Sequence, residues 1–337
     1  MHAPMTSGLK QMIGARARRI ATPDASDITR DATAGLAGIV TGRTNALGQA
    51  TAAGHRLSRS VRQTRWGSGR SAGVLHTVVA AFVAGLAMTT AALSATKATP
   101  QRLSEIGQRL VAAYPDHLAG IEDGLLVWKD GTKMPLDDGV ATKDFETLLN
   151  SADIEDQFYA PYAKGRAVTP PGLNMDPGRV RHEPFFRKMY GDCDDPRYLA
   201  ETMADVIWLP TRVGAKIKIS KINGIAGQLQ KVSDELDKLD ATFVDFLHPI
   251  AGTLSCRTIA GTDRRSMHGY AAAIDISIKH AHYWRWGNED GKKKPVYKNS
   301  VPMEIVEIFE RHGFIWGGKW YHYDTMHFEY RPELLAD

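Results

Sequence analysis

Two short segments hold residues whose types and spacing suit metal chemistry. The first runs Ser266-Met267-His268-Gly269-Tyr270-Ala271-Ala272-Ala273-Ile274-Asp275, the second Tyr323-Asp324-Thr325-Met326-His327-Phe328-Glu329. Two imidazoles and one carboxylate make a sound set for a single zinc ion and leave a fourth position for water. His268, Asp275 and His327 supply that set. Zinc lowers the pKa of such a water to about 7, which yields hydroxide at neutral pH. Amide cleavage then needs a second carboxylate to take a proton and return it. Asp324, three residues ahead of His327, is placed for that task, provided the chain bends just before the last strand.

Each segment alone is weak evidence. A His followed seven residues later by an Asp arises often by chance, and most of the 12 histidines must serve packing or the surface. An Asp-x-x-His pair is also what a capped turn looks like. Together the segments are more specific. They resemble the zinc D-alanyl-D-alanine carboxypeptidase family, the VanY-like enzymes with related dipeptidases and endolysin peptidases. The family pattern is Ser-x-His-x-x-Gly-x-Ala-x-Asp, followed later by an acid-x-x-His that often continues Phe-Glu. Ser266, His268, Ala273 and Asp275 match at their places, as do Asp324, His327, Phe328 and Glu329. The usual glycine is Ala271 here; family members bring backbone close at that point, so its methyl group is expected to narrow the site.

The segment Cys256-Arg257-Thr258-Ile259-Ala260-Gly261-Thr262 looks like the family's strand ahead of the first metal motif. The resemblance implies that Arg257 binds the substrate carboxylate or the developing oxyanion, and that Ser266 helps to hold substrate or stabilise charge. It also implies a peptidoglycan stem peptide as substrate, with terminal D-Ala-D-Ala cleavage first and L-alanyl-D-glutamate endopeptidase cleavage as the nearest rival. A non-catalytic peptidoglycan-binding module with a zinc site is a further alternative, though it would not need Asp324. Non-haem iron oxygenases also use two His and one carboxylate, but usually place the carboxylate two residues after the first His rather than seven.

The elements that must position these residues read as α+β, a small antiparallel sheet with flanking helices. The resemblance implies the Hedgehog/DD-peptidase-like zinc peptidase fold. Residues 101–114 and 303–312 read as helices, the second ending at Gly313. Ile225, Leu229, Val232, Leu236 and Leu239 recur at helical spacing and form a stripe for core packing. Strands are expected at 124–128, 215–219, 252–259, 271–278 and 326–330, and residues 151–185 are expected to wrap the surface as long loops. Helices and short strands without regular βαβ alternation argue for α+β. Trp284, Trp286, Trp316, Trp320, Tyr321 and Tyr323 either wall a groove or fill the core. His280, His282 and His322 are spare histidines.

At the scale of the chain, the net charge of +4 hides an asymmetry: residues 1–70 hold eleven Lys/Arg against three acids, so the remainder is net acidic. The basic excess does not belong to the folded part, which argues against a nucleic-acid partner. Residues 1–70 read as a basic, mostly disordered segment. Residues 71–96 hold no charge; their apolar core follows Arg62, Arg65 and Arg70 and ends in small residues. That is the layout of a secretory signal, and the run is also long enough for a signal anchor. Either way the C-terminal part is exported to the periplasm or cell envelope, held at the inner membrane if the signal is not cleaved. Residues 100–190 read as a helical, loop-rich accessory region and 191–337 as the zinc peptidase domain. Cys193 and Cys256 can form one bridge in an oxidising compartment or remain two buried thiols. Oligomeric state is not written in the sequence.

Overall fold

The computed structural model describes residues 98–165, 171–259, 262–288 and 291–336. The basic segment 1–70 and the uncharged run 71–96 lie outside the described residues. Among the described residues no helix is long and apolar enough to cross a membrane.

Helix α1, Pro100–Ala113, starts where Thr99 accepts a hydrogen bond from the Arg102 amide and Pro100 fills the first helical position, both favourable at a helix start. Its inner face buries Ile106 and Leu110. It packs on a three-stranded antiparallel meander of β1 (Leu118–Glu122), β2 (Leu125–Trp128) and β3 (Lys133–Pro135). Asp123 and Gly124 turn between β1 and β2 with positive φ, the geometry a two-residue hairpin demands. Short helix α2, Phe145–Asn150, follows.

The stretch 151–185 is irregular as expected, but it does not simply wrap the surface. Ile154, Ala160, Tyr162, Asp176 and Val180 are buried, and helix α3, Glu183–Tyr190, already begins inside it. Its polar anchors explain the difference: Tyr162 donates to Glu310, and the Asp176 carboxylate accepts the His322 amide. Those partners lie far along the chain, where local pattern carries no sign of them.

After helix α4, Tyr198–Thr202, a hairpin pairs β4 (Met203–Trp208) with β5 (Ala215–Ser220) in unbroken register. Strand β4 escaped the sequence reading, which caught only its partner. Helix α5, Ile225–Leu236, lays Ile225, Leu229, Val232 and Leu236 into the core. Helix α6, Val244–Leu247, is a single turn. The last sheet holds β6 (Ala273–Asp275), β7 (Phe314–Trp316) and β8 (His327–Tyr330), with β8 central and antiparallel to both neighbours. Helix α7, Met303–Arg311, leads into β7 and packs against it and α5. One apolar core runs from α1 through α3 and α5 to β8, with Phe309 stacked on Phe328 at 3.8 Å. Mixed helices and small antiparallel sheets make the fold α+β.

The strand expected at 252–259 does not form. Only Gly252 and Thr258 make isolated bridges, to Asp275 and Arg265. The carbonyl of Thr253 faces the His268 ring and the Ser255 amide donates to the His268 carbonyl, so this backbone serves a side chain and a turn rather than a ladder.

Candidate metal centre

His268 sits in a tight turn, 267–270, that Ser266 caps: the Ser266 hydroxyl accepts from the His268 amide at 3.3 Å. The turn closes at Ala271, which adopts φ 48° and ψ 35° and is fully buried. That left-handed conformation favours glycine. The glycine-to-alanine departure at 271 therefore bears on the backbone of the turn.

Asp275 and His327 are direct cross-strand partners in the β6–β8 ladder. Asp275 is held on its other side too, through backbone bonds with Ala251 and Gly252. Asp324 belongs to the bend before β8, where its carbonyl accepts the His327 amide and its own amide donates to Gly317. A Cβ on Gly317 would stand 2.6 Å from the Asp324 carbonyl oxygen, so the approach of these two segments requires glycine.

These elements bring His268, Asp275 and His327 into one group. His268 Nε2 lies 3.1 Å from Asp275 Oδ2 and 3.1 Å from His327 Nδ1, which in turn lies 2.8 Å from Asp275 Oδ1. The outer nitrogens fix the tautomers. His268 Nδ1 faces the Thr253 carbonyl at 3.2 Å, which only accepts, so Nδ1 carries the proton. His327 Nε2 faces the Glu329 carboxylate at 3.0 Å and likewise donates. Two nitrogen lone pairs and a carboxylate are thereby turned on one point, an arrangement that calls for a cation at its centre. A carboxylate or carbonyl behind each ligating imidazole is the usual support of a metal site.

The electrostatics agree. Burial alone would raise the Asp275 carboxyl, but His327 and His268 beside it hold it well below the usual range. Burial likewise works against a protonated His327, yet Asp275 and Glu329 together push it well above an ordinary imidazole. A positive charge belongs here, as a proton or as a metal ion. The residues fit a divalent ion with imidazole and carboxylate ligands and an open position. Burial pushes Asp324 up to about 6, against the pull of His327, and its Oδ1 has no hydrogen-bond partner.

All four residues line a cleft of about 110 Å³, with Ser266 and Arg257. Arg257 is exposed, and its guanidinium touches only the Thr258 carbonyl among the described residues. Three lining residues were not singled out in the sequence: Arg179, Arg181 and Tyr283. The arginines lie far upstream, in a stretch read only as loop. Glu329 was noted as a motif match, but its hold on His327 needed coordinates. Of the aromatics, Trp320 lines the cleft; Trp284, Trp316 and Tyr323 are buried and Trp286 is exposed. The spare histidines have other partners: His280 packs on Phe246, His282 meets Ser300 and His322 pairs with Asp176. Cys193 and Cys256 form a disulfide, which ties the residue before Arg257 to the loop after α3.

Two imidazoles and a carboxylate that could hold a metal ion, beside a spare buried carboxylate, make a donor set suited to metal-dependent hydrolysis. The family comparison agrees: residues 260–330 match the model of a peptidase family described as D-alanyl-D-alanine carboxypeptidase, as the motifs suggested. The match takes in His268, Asp275, His327 and Asp324 and leaves Arg179, Arg181 and Arg257 outside it. No curated protein and no solved structure matches the chain.

Proposed function

We propose that this chain is a zinc-dependent peptidase of peptidoglycan stem peptides, with the terminal D-alanyl-D-alanine bond as first substrate, on a Hedgehog/DD-peptidase-like fold. The observation that carries the reading is the convergence of two oriented imidazoles and Asp275 beside a buried carboxylate with a free oxygen, inside the family-matched segment. His268, Asp275 and His327 would hold the ion. Bound zinc supplies Lewis acidity, which acidifies water and draws charge from a carbonyl. Thr253 and Glu329 keep the two rings in their ligating tautomers. Asp324 takes a proton from the attacking water and passes it to the leaving amine. Arg257, on the open side of the cleft, meets the substrate's terminal carboxylate or the oxyanion. Ser266 acts chiefly by fixing the His268 turn.

Export to the periplasm or cell envelope is part of the proposal. It is supported by the uncharged run 71–96 behind arginines and by the Cys193–Cys256 disulfide, since such bonds persist in oxidising compartments. Fractionation of cells tests it; folded, active protein confined to the cytosol would overturn it.

The activity is tested with the zinc-loaded protein, a muropeptide pentapeptide and mass spectrometry of the products. Loss of one alanine, abolished by chelation and lowered roughly 10²- to 10⁴-fold in Asp324→Asn with zinc retained, is the expected result. A cut between L-alanine and D-glutamate would reassign the enzyme as an endopeptidase. Bound zinc without any cleavage would favour a binding module.

A further inference from the structure

Arginines gather at one side of the cleft: Arg179 and Arg181 line it, and Arg264 stands behind Arg179. Arg179 lines the cleft with Asp324 and pulls electrostatically on its carboxylate, but among the described residues it forms no direct ion pair. Its Nη1 donates to the His322 carbonyl at 3.1 Å, and its Cζ lies 5.3 Å from the Trp320 ring centroid. Stacking on an indole fixes the plane of the fork while leaving most of its five donors for a ligand.

Behind Arg179 stands Arg264, buried, with no carboxylate in ion-pairing distance among the described residues and with Nε unpartnered. Its Nη1 donates to the Arg179 carbonyl at 3.4 Å. Burial, then the nearby Arg181 and Arg179, push its guanidinium down to about 10. Arg181 is also buried; it donates to the Arg265 carbonyl at 2.9 Å and reaches Glu329 and Glu183 at 3.7 and 3.8 Å. Glu329 is already engaged by His327, and Glu183 accepts from the Tyr270 hydroxyl. Buried like charges this poorly matched are costly unless a counter-charge arrives.

Resting on the peptidase reading above, we propose that Arg179, backed by Arg264 and Arg181, receives a second carboxylate of the stem peptide, distinct from the terminal one assigned to Arg257. A guanidinium fork and a carboxylate match in shape and pair through two parallel hydrogen bonds. The cleft then selects peptides bearing an acidic group away from the chain end.

The test uses two pentapeptides that differ only in whether the carboxylate of their internal glutamate is free or amidated. They are given to the zinc-loaded full chain and to Arg179→Gln and Arg179→Lys, with zinc content checked in each. The wild type should prefer the free carboxylate roughly 10- to 100-fold in kcat/KM. Arg179→Gln should lose that preference by slowing the free-carboxylate peptide alone, and Arg179→Lys should fall between. No preference in the wild type, or an equal loss on both peptides, would overturn the proposal; an equal loss would mean that Arg179 merely steadies the His322–Asp324 segment. If neither peptide is cut, the peptidase reading fails by itself. Calorimetric binding of the same peptides then decides: weaker binding of the free-carboxylate peptide by Arg179→Gln supports the subsite, and unchanged binding sinks it.

Discussion

The proposed reaction gives Asp324 two tasks in one turnover, as an ionised base when water attacks and as an acid when the amine leaves. Burial raises it to about 6, near the pH at which both forms are within reach. The sign of the pH dependence follows. Only the ionised form accepts a proton, so kcat/KM should climb as pH rises through the Asp324 pKa and level off above it. A bound dication draws that pKa down, which sets the bend at or below about pH 6. Rates that fall between pH 5 and 7 would remove Asp324 as the base. At this scale the sequence was informative about residue types: His268, Asp275, His327 and Asp324 were all picked by chemistry and spacing, and the structure brings them to one cleft. It was silent on Thr253, whose contribution is a carbonyl that any residue could offer, and on Arg179, whose partners are remote in the chain.

In the turn 267–271 the backbone adds a second reason for a glycine at its last position. Ala271 was flagged because family members carry glycine there, and the expected effect was a narrower site. Its φ of 48° gives another reason: the position closes a turn in the left-handed region, with its amide on His268 and its carbonyl receiving Ser220 of β5. Alanine tolerates that region at a cost of roughly 1–2 kcal/mol, and a β-branched residue does not. Ala271→Val should therefore lower stability by more than about 2 kcal/mol and weaken metal binding with it. Ala271→Gly should stay within about 1 kcal/mol of the parent, because relief of the turn is offset by the lost buried methyl. Urea titration of both variants checks this; a Val variant as stable as the parent would show that the turn is not held as described. Elements with strong periodicity, such as α5 and α7, could be read from the sequence because core burial writes a repeat. The run 252–259 looked like a strand for the same apolar content, but its backbone groups are divided among His268, Asp275 and the 264–266 segment.

The whole molecule joins stretches that sequence reading kept apart. The Cys193–Cys256 bridge closes a long loop between α3 and the segment carrying Arg257. Arg265 reinforces the same junction by pairing with Asp192 and Asp194. Reduction, or Cys256→Ser, should cost roughly 2–4 kcal/mol of stability and raise KM more than it lowers kcat, because Arg257 would lose its tether while the metal ligands keep theirs. Unchanged denaturation midpoints and kinetics on reduction would contradict that. A count of two cysteines permitted the bond but did not decide it, since pairing depends on the path of everything between them. The accessory and catalytic parts of the sequence meet in one core, and only burial across that core reveals that Tyr162 answers to Glu310 and Tyr114 to Glu333.

Asp275 and His327 face each other across adjacent strands, and the ladder sets their spacing. The stretch from 276 to 313 is, for that pair, an excursion that leaves the sheet and comes back to it at β7. Its length and composition can drift without moving either ligand, so long as the return strand docks in the same register. A slip of β8 by one residue would turn His327 to the wrong face. The Asp275–His327 pair is thus insulated from that excursion, which can change while the spacing of the two side chains stays as it is.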